Sequence, residues 1–465
     1  MNNVLWQGKE VLSVIEGHGE YNWSASGVSI DTRTIKKGDI FCALPGLNHD
    51  GNEFIEEALN KGASIAISNK PSLINSKKVV FVNDVLKALT KLGSYSRSRT
   101  NAKIISVTGS SGKTTLKEMI AHCLSEFGKV HKSKKSYNNH IGVPLSLSNM
   151  PKDADYAIFE IGMNKKGEIS NLANILKPHI GIVNNAGKAH IGFFDNEKEI
   201  VKEKLSIVDG IVDGGNLIVN DKLLSDLKDY PIKDKDIKTY SFGFSKKSDA
   251  QFIKGISHKS TSFLISRVNN KEIKYSTNLI GEHMALNTLP AILVNKIVNN
   301  SNTKFLKKLE RFKAIEGRGN KFHINFFDKN IEIIDESYNA NPDSMEASIN
   351  AVKINKDNNK RLIFFVGDML ELGKHSKVMH KKIAKLINKS EIDLVFAIGS
   401  EVKYLWEDIN CEKKGEIFNN VDGVIPKLRN LTMDKDIILL KGSSRINLNK
   451  IIDSMLSHKS LRKIA

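Results

Sequence analysis

Cysteine is scarce in this chain of 465 residues. Cys42, Cys123 and Cys411 are its three, far apart and with no C-x-x-C pair, which excludes a disulfide framework and a thiolate zinc site. Long apolar runs are also missing. No stretch approaches the roughly 18–20 residues that a bilayer-spanning helix needs, so no membrane span is expected. The segment Met1 to Glu10 carries neither a basic leader nor an apolar core, and the expectation is a cytoplasmic protein. There is no low-complexity tail and no repeat of fixed period, which sets aside solenoids and propellers. Concentrated charge is lacking too. The net charge is +18, but the lysines are scattered along the chain rather than massed with aromatics. A solvated basic surface accounts for that better than a nucleic-acid groove, and no nucleic-acid partner is expected.

What is present is a phosphate-loop pattern. Ile104 to Val107 reads as a strand, Thr108-Gly-Ser-Ser-Gly-Lys-Thr-Thr115 as a turn, and Leu116 to Leu124 as a helix. Glycines 109 and 112 let backbone N–H groups approach phosphate oxygens, with Ser110 and Ser111 between them. Lys113 supplies a point charge, Thr114 or Thr115 a hydroxyl for Mg²⁺, and the helix its positive end. The usual longer form requires glycine where this chain has Val107, so the loop is the shorter variant Thr-Gly-x-x-Gly-Lys-Thr. ATP is the expected nucleotide.

The length exceeds what one core supports, and the pattern divides in three. Short β-like runs, Asp39 to Leu44 and Ala63 to Ile67, precede a helix near Val85 to Tyr95 and suggest a small α/β domain over residues 1–101. Residues 102–313 alternate strands (Ile104 to Val107, Tyr156 to Ile161, Ile180 to Val183) with helices such as Asn196 to Val208, the signature of a mostly parallel sheet. Within them, residues 216–280 read as an antiparallel extension with hairpin strands such as Thr261 to Ser266, and a helix begins at Glu282. Residues 314–465 restart the pattern with Ile331 to Ile334, Leu362 to Val366, Leu394 to Ile398 and Ile437 to Leu440, a Rossmann-like domain. The fold class is α/β throughout.

Candidate chemistry lies where strands end. Glu160 closes Tyr156 to Glu160, facing the phosphate loop across the sheet's carboxyl edge, and is the first metal candidate. His190 follows the strand that leads through Asn184 and Asn185, and is the second. In the last third, three strands run into polar turns. Asp335-Glu-Ser-Tyr-Asn-Ala-Asn341 gathers two acids, Tyr338, Asn339 and Asn341; Gly367 to Gly373 contains Asp368; Lys441-Gly-Ser-Ser-Arg445 brings Lys441, Ser443 and Arg445. An open α/β sheet builds its site at such edges, although an Asn-rich capped turn is a purely structural alternative for the first. Lys204 sits in a helix with Lys198 and Lys202, and composition assigns it to the surface.

Taken in order, these segments resemble the Mur ligase family, over nearly the whole chain. Carrying the resemblance are Asp31-Thr-Arg33, Gly38 to Gly46, His49-Asp-Gly51, Thr108 to Thr115, Asn138-Asn-His-Ile-Gly-Val-Pro144, Glu160-Ile-Gly-Met163 and Ala189-His190. Gly281-Glu-His283 with Asn287, Gly317-Arg318, Asp335 to Met345, Gly367 to Gly373 and Lys441 to Arg445 complete it. The Ser-Tyr-Asn-Ala-Asn-Pro and Gly-Asp-Met-x-Glu-Leu-Gly segments look like the branch that adds D-alanyl-D-alanine. Other Mur-type ligases and folate-polyglutamate ligases share the phosphate loop without that Asn-Ala-Asn-Pro turn.

The resemblance implies ATP-dependent amide formation in peptidoglycan precursor synthesis, by a monomer, through an acyl phosphate on UDP-MurNAc-tripeptide that D-alanyl-D-alanine then attacks. It implies two Mg²⁺ ions, one near Thr114 or Thr115 and Glu160, the other near His190, with Lys204 matching a lysine that the family carbamylates. Asn287, Arg318 and either Asp335 or Glu336 would hold ATP. Thr32 and Arg33, with Asn138 and Asn139, would meet the UDP-sugar, and Asp368 and Lys441 to Arg445 the dipeptide. Two departures stand out: Met284 where the family has Asn, and Leu205-Ser206 after Lys204 where Gly-Glu is usual.

Overall fold

The structure, a computed structural model, describes residues 4–46, 49–232, 235–258, 261–279, 281–299, 304–352 and 360–457. Three α/β bodies follow one another. In the first, strands Gly27–Ser29, Asp39–Cys42, Ile65–Ser68 and Val79–Phe81 form a parallel sheet in chain order, with Val85–Ser98 as its last helix. It is tied to the middle body by side chains that reach backbone groups. Trp6 Nε1 donates to the Ser148 carbonyl at 2.9 Å, and Asn149 both accepts from Val28 N and donates to Val28 O, each at 2.9 Å.

The middle body is a nine-stranded sheet in which Lys103–Thr108 lies between Ile180–Val183 and Tyr156–Glu160. Its central strands are buried at nearly every position, as a parallel sheet covered on both faces requires. One expectation is corrected here. Asn216–Asn220, Lys238–Gly243 and the start of Ala250–His258 continue the parallel pairing, and antiparallel pairing begins only where Ala250–His258 meets Thr261–Val268 and goes on to Lys271–Thr277. The reason lies in the connections: helices Glu197–Leu205 and Leu224–Lys228 lie before and after Asn216–Asn220, giving each crossover the length parallel pairing needs. In Thr261–Val268, by contrast, buried Ser262, Leu264 and Ser266 alternate with more exposed residues, as in a hairpin with one wet face.

The last body is a six-stranded sheet in the order Asn320–Phe326, Lys329–Glu336, Ile437–Lys441, Leu362–Gly367, Leu394–Ile398, Lys414–Phe418, parallel except for the first pair. The strands at its two edges, Asn320–Phe326 and Lys414–Phe418, are weakly apolar and were not expected from sequence. This sheet turns its carboxyl edge toward that of the middle sheet. Ile191 and Phe194 of the middle body share one buried cluster with Met369 and Leu372 of the last. Gly192 sits where no side chain fits: a Cβ there would meet Gly373 N at 2.7 Å and Glu371 O at 2.8 Å. No described helix is long and apolar enough to cross a membrane.

Candidate active site

The phosphate loop forms because Gly112, at φ 76°, takes the left-handed conformation that turns the chain from strand into helix Lys113–Leu124. A Cβ at that position would lie 2.8 Å from Asn184 Nδ2 and 3.1 Å from Asn287 Nδ2. The loop is held from the neighbouring strand. Ser111 N donates to Asn185 Oδ1 at 2.9 Å, Ser110 N to the Asn185 carbonyl at 3.1 Å, and Ser110 Oγ exchanges hydrogen bonds with Gly187. Lys113 folds back so that Nζ donates to the Gly109 carbonyl at 2.8 Å. Enclosure lowers its pKa from the ordinary lysine range, while nearby Glu160 works in the other direction.

Thr114 and Glu160 meet as their strand ends require. Thr114 Oγ1 donates to Glu160 Oε2 at 2.6 Å, and Asn138 Nδ2 to Glu160 Oε1 at 2.7 Å. A hydroxyl and a carboxylate side by side are hard oxygen donors, the set that Mg²⁺ takes. Among the described residues no group of three or more His, Cys, Asp or Glu is gathered.

Across the cleft stand groups from the last body. Arg318 lies over the Tyr338 ring at 4.1 Å, Tyr338 OH donates to Ser136 Oγ at 2.8 Å, and Asn341 Nδ2 approaches the Ser110 carbonyl at 3.4 Å. Asp343 accepts from Lys188 N at 2.8 Å. Lys441 Nζ donates to the Asn339 carbonyl at 3.2 Å and lies 3.4 Å from Glu336 Oε2; burial lowers its pKa, with Glu336 opposing. His190 Nδ1 is 2.8 Å from Glu371 Oε2, and that contact is the main reason the Glu371 carboxyl sits below its ordinary range. Ser110, Ser136, His190, Arg318, Glu336, Tyr338, Asn339, Asn341 and Lys441 line a cavity of about 310 Å³, which shares His283, Met284, Arg318, Glu336 and Ser348 with a second, neighbouring cavity of about 320 Å³. The second has an apolar wall of Leu279, Ala314, Ile334, Val352 and Leu439.

Of the residues expected from sequence, Ser110 to Thr115, Asn138, Glu160, His190, Asn287, Arg318, Glu336, Tyr338, Asn339, Asn341 and Lys441 line the first cavity. Others lie apart from it. Asp335 is turned inward, accepting from Gly317 N at 2.8 Å and from Ser337 Oγ at 2.6 Å, so Glu336 is the acid of the pair that faces the cleft. Asp368 corrects the sequence expectation of a dipeptide contact: it is 2 % exposed, and its oxygens accept from Ser400 N, Glu401 N and Val402 N at 3.0, 2.9 and 2.8 Å. Ser443 Oγ likewise accepts from Leu370 N, and Arg445 is exposed, with Glu371 close enough to feel its charge. Asn139 caps helix Gly142–Ser148 by accepting from Gly142 N at 2.8 Å. Thr32 and Arg33 belong to the first body, Arg33 paired with Asp31 at 2.7 Å.

Lys204 overturns its assignment to the surface. It is 2 % exposed, with Nζ 3.8 Å from Met163 Sδ and no carboxylate within ion-pairing distance among the described residues. Burial, reinforced by Lys113, pulls its pKa well below the ordinary value. Sequence reasoning missed Ser136, Asn184, Asn185 and Glu371. The two asparagines follow a strand end next to the phosphate loop, a signal that was legible; Ser136 carries none.

Three family models match in succession: "Mur ligase family, catalytic domain" over residues 24–108, "Mur ligase middle domain" over 107–295 and "Mur ligase, glutamate ligase domain" over 322–444. The UDP-N-acetylmuramoyl-tripeptide--D-alanyl-D-alanine ligase of Rickettsia prowazekii is 34% identical, covering 97% of this chain and 99% of its own length. The enzyme of the same name from Bacillus subtilis is 28% identical over 92% of this chain and 93% of its own. Among solved structures, MurF from Acinetobacter baumannii superposes with a TM-score of 0.84 at 26% identity, covering 97% of this chain and 99% of that one. MurF ligase from Thermotoga maritima, in complex with ADP, has the same fold, with a TM-score of 0.79 at 23% identity over 93% of this chain and 97% of that one.

Proposed function

The chain belongs to the Mur ligase family, and from that premise we propose that it joins D-alanyl-D-alanine to UDP-N-acetylmuramoyl-tripeptide at the expense of ATP, in cytoplasmic peptidoglycan precursor synthesis. The observation that carries this reading is the meeting of Lys113, Thr114 and Glu160 with Arg318, Tyr338 and Lys441 around one cavity. Two sheet edges supply opposite halves of a site for a triphosphate and a carboxylate.

The triphosphate lies on the loop amides of residues 109–115, with Lys113 released from the Gly109 carbonyl to meet it. The adjoining apolar cavity beside His283 and Met284 suits the adenine ring. Thr114 and Glu160 would hold one Mg²⁺, which supplies charge neutralisation between two anions that otherwise repel. His190 and Lys204 would hold a second. Lys204 meets the chemical requirement for carbamylation, since burial pulls its pKa down and so favours the neutral, nucleophilic amine that takes up carbon dioxide.

The tripeptide's terminal carboxylate oxygen attacks the γ-phosphorus, the bond to the β-bridging oxygen breaks, and ADP leaves. Lys113 and Arg318 stabilise the charge spread over the transferring group. The dipeptide's amine then attacks the acyl carbon, its proton passes to solvent or phosphate, and inorganic phosphate departs. Contacts between the bodies at Tyr338, Asn341 and Asp343 keep water from the acyl phosphate. The first body, through Thr32 and Arg33, and Asn138 with Asn139 hold the UDP-sugar, and Asn287 supports the nucleotide through Asn184. Profiling amino acids and dipeptides as acceptors tests the reading. D-alanyl-D-alanine is the expected acceptor, and preference for a single amino acid such as diaminopimelate would move the chain to another branch of the family.

A further inference from the structure

No motif marks Ser136, yet its hydroxyl stands where the two halves of the cleft touch. Three groups surround its oxygen: Tyr338 OH at 2.8 Å, Thr114 Oγ1 at 3.1 Å and Arg318 Nη2 at 3.4 Å. Their hydrogens can be assigned by counting. A serine hydroxyl has one hydrogen and two lone pairs. Arg318 can only donate. Thr114 spends its single hydrogen on Glu160, 2.6 Å away and an acceptor, so between Thr114 and Ser136 the donor is Ser136. Tyr338 then donates to the remaining lone pair of Ser136. Every site on that oxygen is filled, and the order is fixed: Tyr338 to Ser136, Ser136 to Thr114, Thr114 to Glu160.

We infer that Ser136 is a positioning residue of the ligation reaction, whose hydroxyl transmits the arrival of Tyr338 and Arg318 from the last body to the hydroxyl rotor of Thr114 on the phosphate side. The inference rests on the ligase reading above. With its hydrogen on Glu160 and one lone pair occupied by Ser136, Thr114 has a single lone pair left for a cation or a phosphate-bound water, in a fixed direction. Withdrawing the last body removes both donors from Ser136 and frees its hydrogen to turn away from Thr114, whose hydroxyl then keeps only its bond to Glu160 and loses the second constraint on its lone pairs. The site for the metal–nucleotide complex is thereby completed only when the cleft is closed.

The test uses the full-length protein in five forms: wild type, Ser136→Ala, Tyr338→Phe, the double variant and Ser136→Thr. Loss of one neutral hydrogen bond in an ordered chain predicts a fall in kcat of about tenfold for Ser136→Ala. Tyr338→Phe should lower kcat less, and should add nothing in the Ser136→Ala background, the mark of two groups acting through one path. Ser136→Thr, which keeps the hydroxyl, should restore most of the rate. Calorimetry of ADP binding gives a readout apart from turnover: Ser136→Ala should weaken binding in the presence of Mg²⁺ and leave metal-free binding unchanged. Additive effects of the two substitutions, or equal weakening with and without Mg²⁺, would overturn the inference while an active wild type left the ligase reading standing. A wild type that joins no dipeptide would instead overturn that reading.

Discussion

Lys204 shows how much a single residue can hide. Its helix reads as a lysine-rich surface element, but the side chain points inward beside Met163, with no ion-pair partner among the described residues. A buried amine in that setting should take up carbon dioxide, so ¹³C-bicarbonate should give a carbamate NMR signal that Lys204→Arg abolishes. Lys204→Ala should lose most activity and regain it with short carboxylic acids; a fully active variant would remove the residue from the site. Lys113→Ala should lower turnover by at least about 10²-fold, since its charge is needed where phosphate charge develops. Asp368→Asn should act on stability, lowering it by about 3 kcal/mol in chemical denaturation, because it weakens several charge-assisted bonds to buried amides. Sequence reasoning named the residues of the phosphate loop because their spacing is itself the chemistry. It misplaced Asp368, and composition alone put Lys204 at the surface, because the direction of a side chain at a strand end or on a short helix depends on packing that no local pattern records.

At the scale of elements, the strand, loop and helix around Gly112 were legible together, since an apolar run, a glycine turn and a helical period coincide there. Gly112→Ala places a Cβ against Asn184 at a positive φ. Its nucleotide affinity should fall by about five- to thirtyfold, the equivalent of roughly 1–2 kcal/mol of backbone strain. The central strands were legible for the same reason of continuous apolarity, while the edge strands Asn320–Phe326 and Lys414–Phe418 were not, because half-exposed residues carry too little pattern. The core strands also set a pH dependence. His179 Nδ1 accepts from Ile104 N at 2.9 Å, which only the neutral ring can do, and burial lowers its pKa from 6.5 to about 4. His131 is lowered to about 4 by burial as well. Below pH 6.5 the unfolded chain binds protons that the folded chain refuses until pH is near 4, so stability is full above 6.5 and falls as pH drops through that window. His179→Asn, an acceptor that does not titrate, should flatten the fall in melting temperature between those limits.

For the molecule as a whole, the three-body plan was legible from the restart of strand–helix alternation, but the way the bodies meet was not. The contacts that assemble the cleft, Tyr338 with Ser136, Asn341 with Ser110 and His190 with Glu371, join residues more than a hundred positions apart. The net charge of +18 adds attraction for anionic nucleotides without defining a site. The central claim is that these edges couple ATP cleavage to joining of the dipeptide. Its most direct measurement is the stoichiometry of ADP formed and pentapeptide product made, with UDP-N-acetylmuramoyl-tripeptide present and D-alanyl-D-alanine added or withheld. One ADP per product, with little sustained turnover when the dipeptide is withheld, is the predicted result; nucleotide consumption with no joined product, for every muropeptide acceptor supplied, would contradict it.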